Sequence, residues 1–210
     1  MPAHNVPAEL TGPPKVSALA SSCSPCFITQ VVDLKATLVK TGLTPERAEA
    51  VLDMSPALSF SVWAGQRFDC RAVGAIRLRL GQVAGEVVAQ EKAFRERRGG
   101  YDPDTQKQNE DWRSQGLAQV TLQGEHGKWK CCALIIEALP VSIRFACVTL
   151  EGKDTQFWQG HYGMKFAGPR LTWSSREHAR NHCGCSRECL HAVFAPEGAP
   201  SGVTQKVWHQ

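Results

Sequence analysis

Between Val73 and Leu80 the chain reads VGAIRLRL, so that Ile76, Leu78 and Leu80 fall on one side and Arg77 and Arg79 on the other. A two-residue period puts alternate side chains on opposite faces of an extended chain, whereas a helix would mix them. This is the pattern of an antiparallel strand with one face on a core and the other toward polar surroundings. The β-branched run CFITQVVDL over Cys26–Leu34 and the alternating stretch Leu58–Trp63 add two more strands. Gly85–Phe94 reads as the hairpin partner of VGAIRLRL across a glycine-containing turn. Strands resume over Trp129–Ile136 and over Ile143–Leu150, where Ile143, Phe145 and Cys147 share a face, and Leu171–Trp173 gives a last short one. One helix start is visible: Thr44 as N-cap, Pro45 at the first helical position, Glu46 in the first turn, with Ser55-Pro56 as the stop.

Many strands and one short helix give an all-β fold. The chain has 210 residues, 42% of them hydrophobic, enough for a core that needs no staples. Two antiparallel sheets packed face to face bury the apolar sides most simply. The expected fold is therefore an antiparallel β-sandwich of jelly-roll or galactose-binding-like form, with irregular ends. Residues 1–22, rich in Pro, Ala and Ser, read as a flexible leader. Residues 23–173 form the sandwich, interrupted by a hydrophilic insertion over 95–128 with Gly-Gly and Asp-Pro punctuation. Residues 174–210 read as a disordered tail containing Cys and His.

Several function classes fall away. A net charge of +4, spread along the chain, gives no footprint for nucleic acid. No apolar run is long enough to span a membrane, and no signal sequence is visible. Nine cysteines, an odd number, read as mostly idle thiols in a reducing compartment, so a cytoplasmic protein is expected. There is no G-x-S-x-G elbow, and GEHGK over 124–128 is too short for a phosphate loop. His178 and His182 are four apart, but Glu177 precedes them rather than following the first as zinc proteases require. The expectation is no enzyme and no cofactor. His178, His182, Cys183, Cys185, Cys189 and His191 have the chemistry of zinc ligands but not the spacing of a finger, so no metal site is assigned. Arg95, Arg97 and Arg98 read as a solvated basic loop, and Trp63 as core.

The most informative stretch is EGKDTQFWQGHYG over 151–163, where Phe157, Trp158, His161 and Tyr162 crowd between glycines. Aromatics displayed on a loop either pin it to the core or bind a ligand, and sugars are well matched to aromatic faces. Composition leaves both open. The stretch closely resembles the last loop of the F-box-associated domain, found in the sugar-recognising F-box-only proteins, with its D-T-Q-F-W-x-G-H/W-Y-G segment. Cys26-Phe27-Ile28-Thr29 resembles that family's C-F-V-T, and Val31–Lys35 its V-x-D-L segment. Trp63, Gly65, Arg67, Asp69 and Cys70 match W-x-G-x-R-x-D-C. Trp129–Asp154 also aligns, Pro140 and Ile143-Arg144 included, so the resemblance covers most of 26–173.

The resemblance implies a β-sandwich whose loops bind the chitobiose core of N-glycans on misfolded glycoproteins. It implies a role beside an SCF ubiquitin ligase in glycoprotein quality control. By the same resemblance Trp158 would stack on a GlcNAc ring, Phe157 would wall the pocket, Gln159 would donate a hydrogen bond, and Asp69 would accept from the sugar. Some relatives share the fold and bind protein without sugar. This sequence departs from the family in four places. The family's S-F-E-W-C hairpin is missing after Thr29, 95–128 is longer, Phe166–Arg170 replaces V-T-N-S-S, and 174–210 has no counterpart. The residues ahead of Cys26 are too few for an F-box, so Skp1 and cullin are expected as partners only if a longer form carries one.

Overall fold

The phase of the alternation decides which side of each strand meets the core. In the computed structural model, which describes residues 18–97, 117–123, 127, 129–156, 160–174 and 189–194, nine strands form two sheets. The elements in chain order are β1 Leu19–Ala20, β2 Cys26–Asp33, α1 Leu34–Lys40, α2 Pro45–Asp53, β3 Ala57–Gly65, β4 Ala72–Gly81, α3 Ala84–Arg97, β5 Leu117–Gln123, β6 Trp129–Ile136, β7 Phe145–Asp154, β8 Lys165–Ser174 and β9 Cys189–Phe194. One sheet has the order β1-β8-β3-β6-β9 and the other β2-β7-β4-β5. Every pairing is antiparallel except β6 with β9. The inward residues Leu58, Phe60 and Val62 of β3, Ile76 and Leu78 of β4, Leu134 and Ile136 of β6, and Val148 and Leu150 of β7 form one core between the sheets. The architecture is the expected all-β sandwich.

Four features differ from the reading of the sequence. Gly85–Phe94 is not the hairpin partner of β4; it lies in the helix α3, and β4 is flanked by β7 and β5 instead. The segment AGEVVAQEKAFRER lacks a sustained two-residue alternation and is rich in Ala, Glu, Gln and Lys, which favour a helix; the Val-Val pair suggests a strand locally. Leu117–Gln123, within the stretch read as a hydrophilic insertion, is strand β5, and Cys189–Phe194, within the stretch read as a tail, is strand β9. Trp63 points away from the core, half-buried on the outer side of β3.

Helix α3 explains why β4 is buried on both faces. Val87 and Glu91, one turn apart, project onto the sheet, both essentially inaccessible. Arg77, expected to face polar surroundings, is 1% exposed instead. Its Nε donates to Glu91 at 2.9 Å, its Nη1 lies 2.5 Å from Glu151 of β7, and Arg79 Nε lies 3.5 Å from Glu91. The ring of Phe94 packs beneath both guanidiniums. Two cations and two anions thus balance between helix and sheet, as buried charges must.

At one end of the sandwich α1 and α2 close the core with Leu34, Leu38, Ala48 and Leu52. Asp33 caps α1 through the Ala36 N–H, and Thr44 caps α2 through the Arg47 N–H, the cap the sequence shows. Arg144 clamps α2 by pairing with Glu49 and Asp53.

Candidate binding loops at one end of the sandwich

The antiparallel order brings the links β3–β4, β5–β6 and β7–β8, together with the entry to β2, to the end of the sandwich opposite the helices. The link 66–71 is short and tightly closed: the buried Gln66 side chain accepts the Ala72 N–H through Oε1 at 2.7 Å. Its Nε2 is buried with no acceptor among the described residues. Phe68, at the tip, is 74% exposed, and Gly127 of the β5–β6 link lies against it with a positive φ of 67°.

Arg67 and Asp69 form a two-pronged ion pair, Nε to Oδ1 at 2.9 Å and Nη2 to Oδ2 at 2.6 Å. Fork-to-fork geometry of this kind fixes both planes. Burial pushes the Asp69 carboxyl up, but the hydrogen bonds from Arg67, its own backbone and Cys70 outweigh this and hold it below the usual carboxylate range. The Arg67 guanidinium also stacks over the Tyr162 ring, 4.5 Å from its centre. Lys165, at the start of β8, is almost buried; burial, and then the charge of Arg67, push its ammonium below the ordinary lysine range. The cluster thus carries two cations and one carboxylate, whose Oδ1 accepts from Arg67 and Cys70 and whose Oδ2 accepts from Arg67.

The flanks of the aromatic stretch are fixed to this cluster. Thr155 donates both its N–H and its hydroxyl to the Arg71 carbonyl, at 3.0 and 3.1 Å, and Asp154 Oδ1 accepts the Gln156 N–H at 2.8 Å. On the returning side Gly160 has φ 114° and lies under the Tyr162 ring, while Gly163 donates to the Ser21 carbonyl at 3.0 Å. A Cβ at Gly163 would stand 2.2 Å from Ser21 Oγ and 2.8 Å from the Asp154 nitrogen, so only glycine fits.

Of the site residues read from the sequence, Asp69 stands in this cluster with its carboxylate held by Arg67. Phe157, Trp158 and Gln159 lie outside the described residues. His161 is exposed, and Tyr162 braces the loop against Arg67. The turn at Phe68–Asp69 folds the link back so that Arg67 and Asp69, two apart in the sequence, meet. Gln66, Tyr162 and Lys165 as neighbours of Asp69 are not legible in the sequence, since only the β3–β8 register brings position 165 beside Gly65.

Of the candidate zinc ligands, His178, His182, Cys183 and Cys185 lie outside the described residues, and no metal-binding cluster occurs among the described ones. Cys70, Cys132 and Cys147 are buried thiols; burial pushes that of Cys132 up to about 12. Cys131, opposite Cys189 in the β6–β9 register, is disulfide-bonded, an exception to the reading of mostly idle thiols. No helix among the described residues is long and apolar enough to cross a membrane. No protein-family model matches the chain, and no curated protein matches it.

Proposed function

We propose that the chain is a non-enzymatic recognition module whose loop end binds the chitobiose core of N-linked glycans on proteins. One observation carries the reading: Tyr162, from the aromatic stretch, stacks on Arg67, whose guanidinium holds Asp69. The two segments whose resemblance to the F-box-associated domain points to sugar contact therefore share one end of the sandwich. An aromatic face and a carboxylate are the groups a GlcNAc ring and its hydroxyls would use. Trp158 is proposed as the stacking platform, Phe157 as a wall, Gln159 as donor and Asp69 as acceptor. A longer form carrying an F-box would link this module to Skp1 and cullin, and so to ubiquitination of misfolded glycoproteins.

Titration calorimetry of the full chain with chitobiose tests the reading. Binding in the micromolar-to-millimolar range, abolished by Trp158→Ala and weakened about tenfold by Asp69→Asn, is the expected result. No heat from a chain that circular dichroism shows to be folded rejects it. A second reading has its own support: both Asp69 oxygens already accept from Arg67, as they would in a loop built only for rigidity. On that reading the same loop end docks a protein without sugar affinity.

A further inference from the structure

Among the described residues strand β2 is one edge of the four-stranded sheet and pairs with β7 alone. Proteins guard such edges with proline, lysine, bulges or short length. Here Cys26–Val32 contains no charged residue and no proline, and its register with β7 runs unbroken over eight residues. Phe27 is 55% exposed and Ile28 48%, one on each face of the strand, and Val31 is exposed as well. An edge that is long, regular and apolar on both faces is a template for another strand.

The charges at its two ends indicate which strand. At the start of β2, Arg95 of α3 lies over the Phe27 ring, 3.7 Å from its centre. At the end stands Asp33, an exposed residue whose Oδ1 caps α1. Phe27, Thr29, Val31 and Asp33 alternate onto the face that α3 covers. A twofold axis perpendicular to the sheet, through Gln30, pairs position 27 with 33, 28 with 32 and 29 with 31. Asp33 of each copy then lies beside Phe27 of the other, next to its Arg95, while Ile28 meets Val32 on the opposite face. A parallel arrangement would put like ends together and lose both ion pairs.

We propose that β2 pairs with β2 of a second copy of this chain, antiparallel and centred on Gln30, joining two four-stranded sheets into one. The interface is isologous, so each contact occurs twice. The charge pairs set its register, and the apolar strand supplies its affinity.

Sedimentation velocity of the full chain over micromolar concentrations tests this. A dimer is expected, weakened about tenfold or more by Ile28→Lys, which sets a charge against Val32 of the other copy. Arg95→Glu alone and Asp33→Lys alone each place like charges together twice and should be monomeric. Mixed in equal amounts they form two opposite-charge pairs and should dimerise. Should Asp33→Lys fail to fold for want of its helix cap, Asp33→Asn keeps the cap and should still weaken the dimer. A folded chain that stays monomeric overturns the proposal, including one whose β2 amides are protected from exchange because another segment covers the edge. A dimer that Ile28→Lys leaves intact, or a mixture that does not restore association, overturns it equally.

Discussion

At Asp69 a single carboxylate ties two links of the sandwich together. Its two oxygens hold Arg67 flat against Tyr162, so its ionisation state governs how the β3–β4 and β7–β8 links meet. The folded carboxyl titrates below its unfolded value, because the hydrogen bonds to its anion outweigh the cost of burial. A depressed carboxyl contributes stability above the unfolded value, near pH 4, that is lost as the pH falls through the folded one. In a carbon-detected NMR titration, Asp69 should therefore show a midpoint below that of a free aspartate. Arg67→Ala should move that midpoint upward, since the desolvation remains and the guanidinium is gone. A midpoint unchanged by Arg67→Ala would mean that the pair does not persist in solution.

The elements show where local pattern suffices and where it fails. Strand β4 is legible because its alternation is strict, and α2 because Thr44 and Pro45 mark its start. The phase of Arg77 and Arg79 is legible too, but not their surroundings, since no period in β4 reveals that a helix covers its outer face. Helix α3 itself is hidden because its underside is polar: Glu91 sits where an amphipathic pattern would place an aliphatic side chain. That choice has a testable consequence. Glu91→Ala leaves Arg77 and Arg79 without their shared anion in a place water does not reach, and removing one member of such a buried pair costs about 3–5 kcal/mol. Urea unfolding should show a loss of that order. If the loss is below about 1 kcal/mol, solvent reaches beneath the helix, and the charges are not sealed there.

For the molecule as a whole, the sandwich keeps two ends apart. The helices, Arg144 and the Thr44 cap close one end; the Arg67 cluster and the flanks of the aromatic stretch form the other. The nine residues of β3 run between them, and at about 3.3 Å per residue they separate the ends by roughly 25–30 Å. The resemblance of separate sequence pieces indicates that these loops belong together, but only strand order explains why. Links that follow β3, β5 and β7 all emerge on one side because each of these strands runs the same way. Substitutions at the two ends should then act independently. Thr44→Ala removes a helix cap, at about 1 kcal/mol. Gly163→Ala forces a methyl into Ser21 and the Asp154 backbone, an overpacking that costs about 1–3 kcal/mol. In urea unfolding the double variant should lose the sum of the two within about 0.5 kcal/mol. Chitobiose affinity, where the chain has it, should fall with Gly163→Ala and stay unchanged with Thr44→Ala. Coupling well beyond that margin would mean that strain at the loop end reaches the helices through the core, and the Arg67 cluster would then respond to whatever holds α1 and α2.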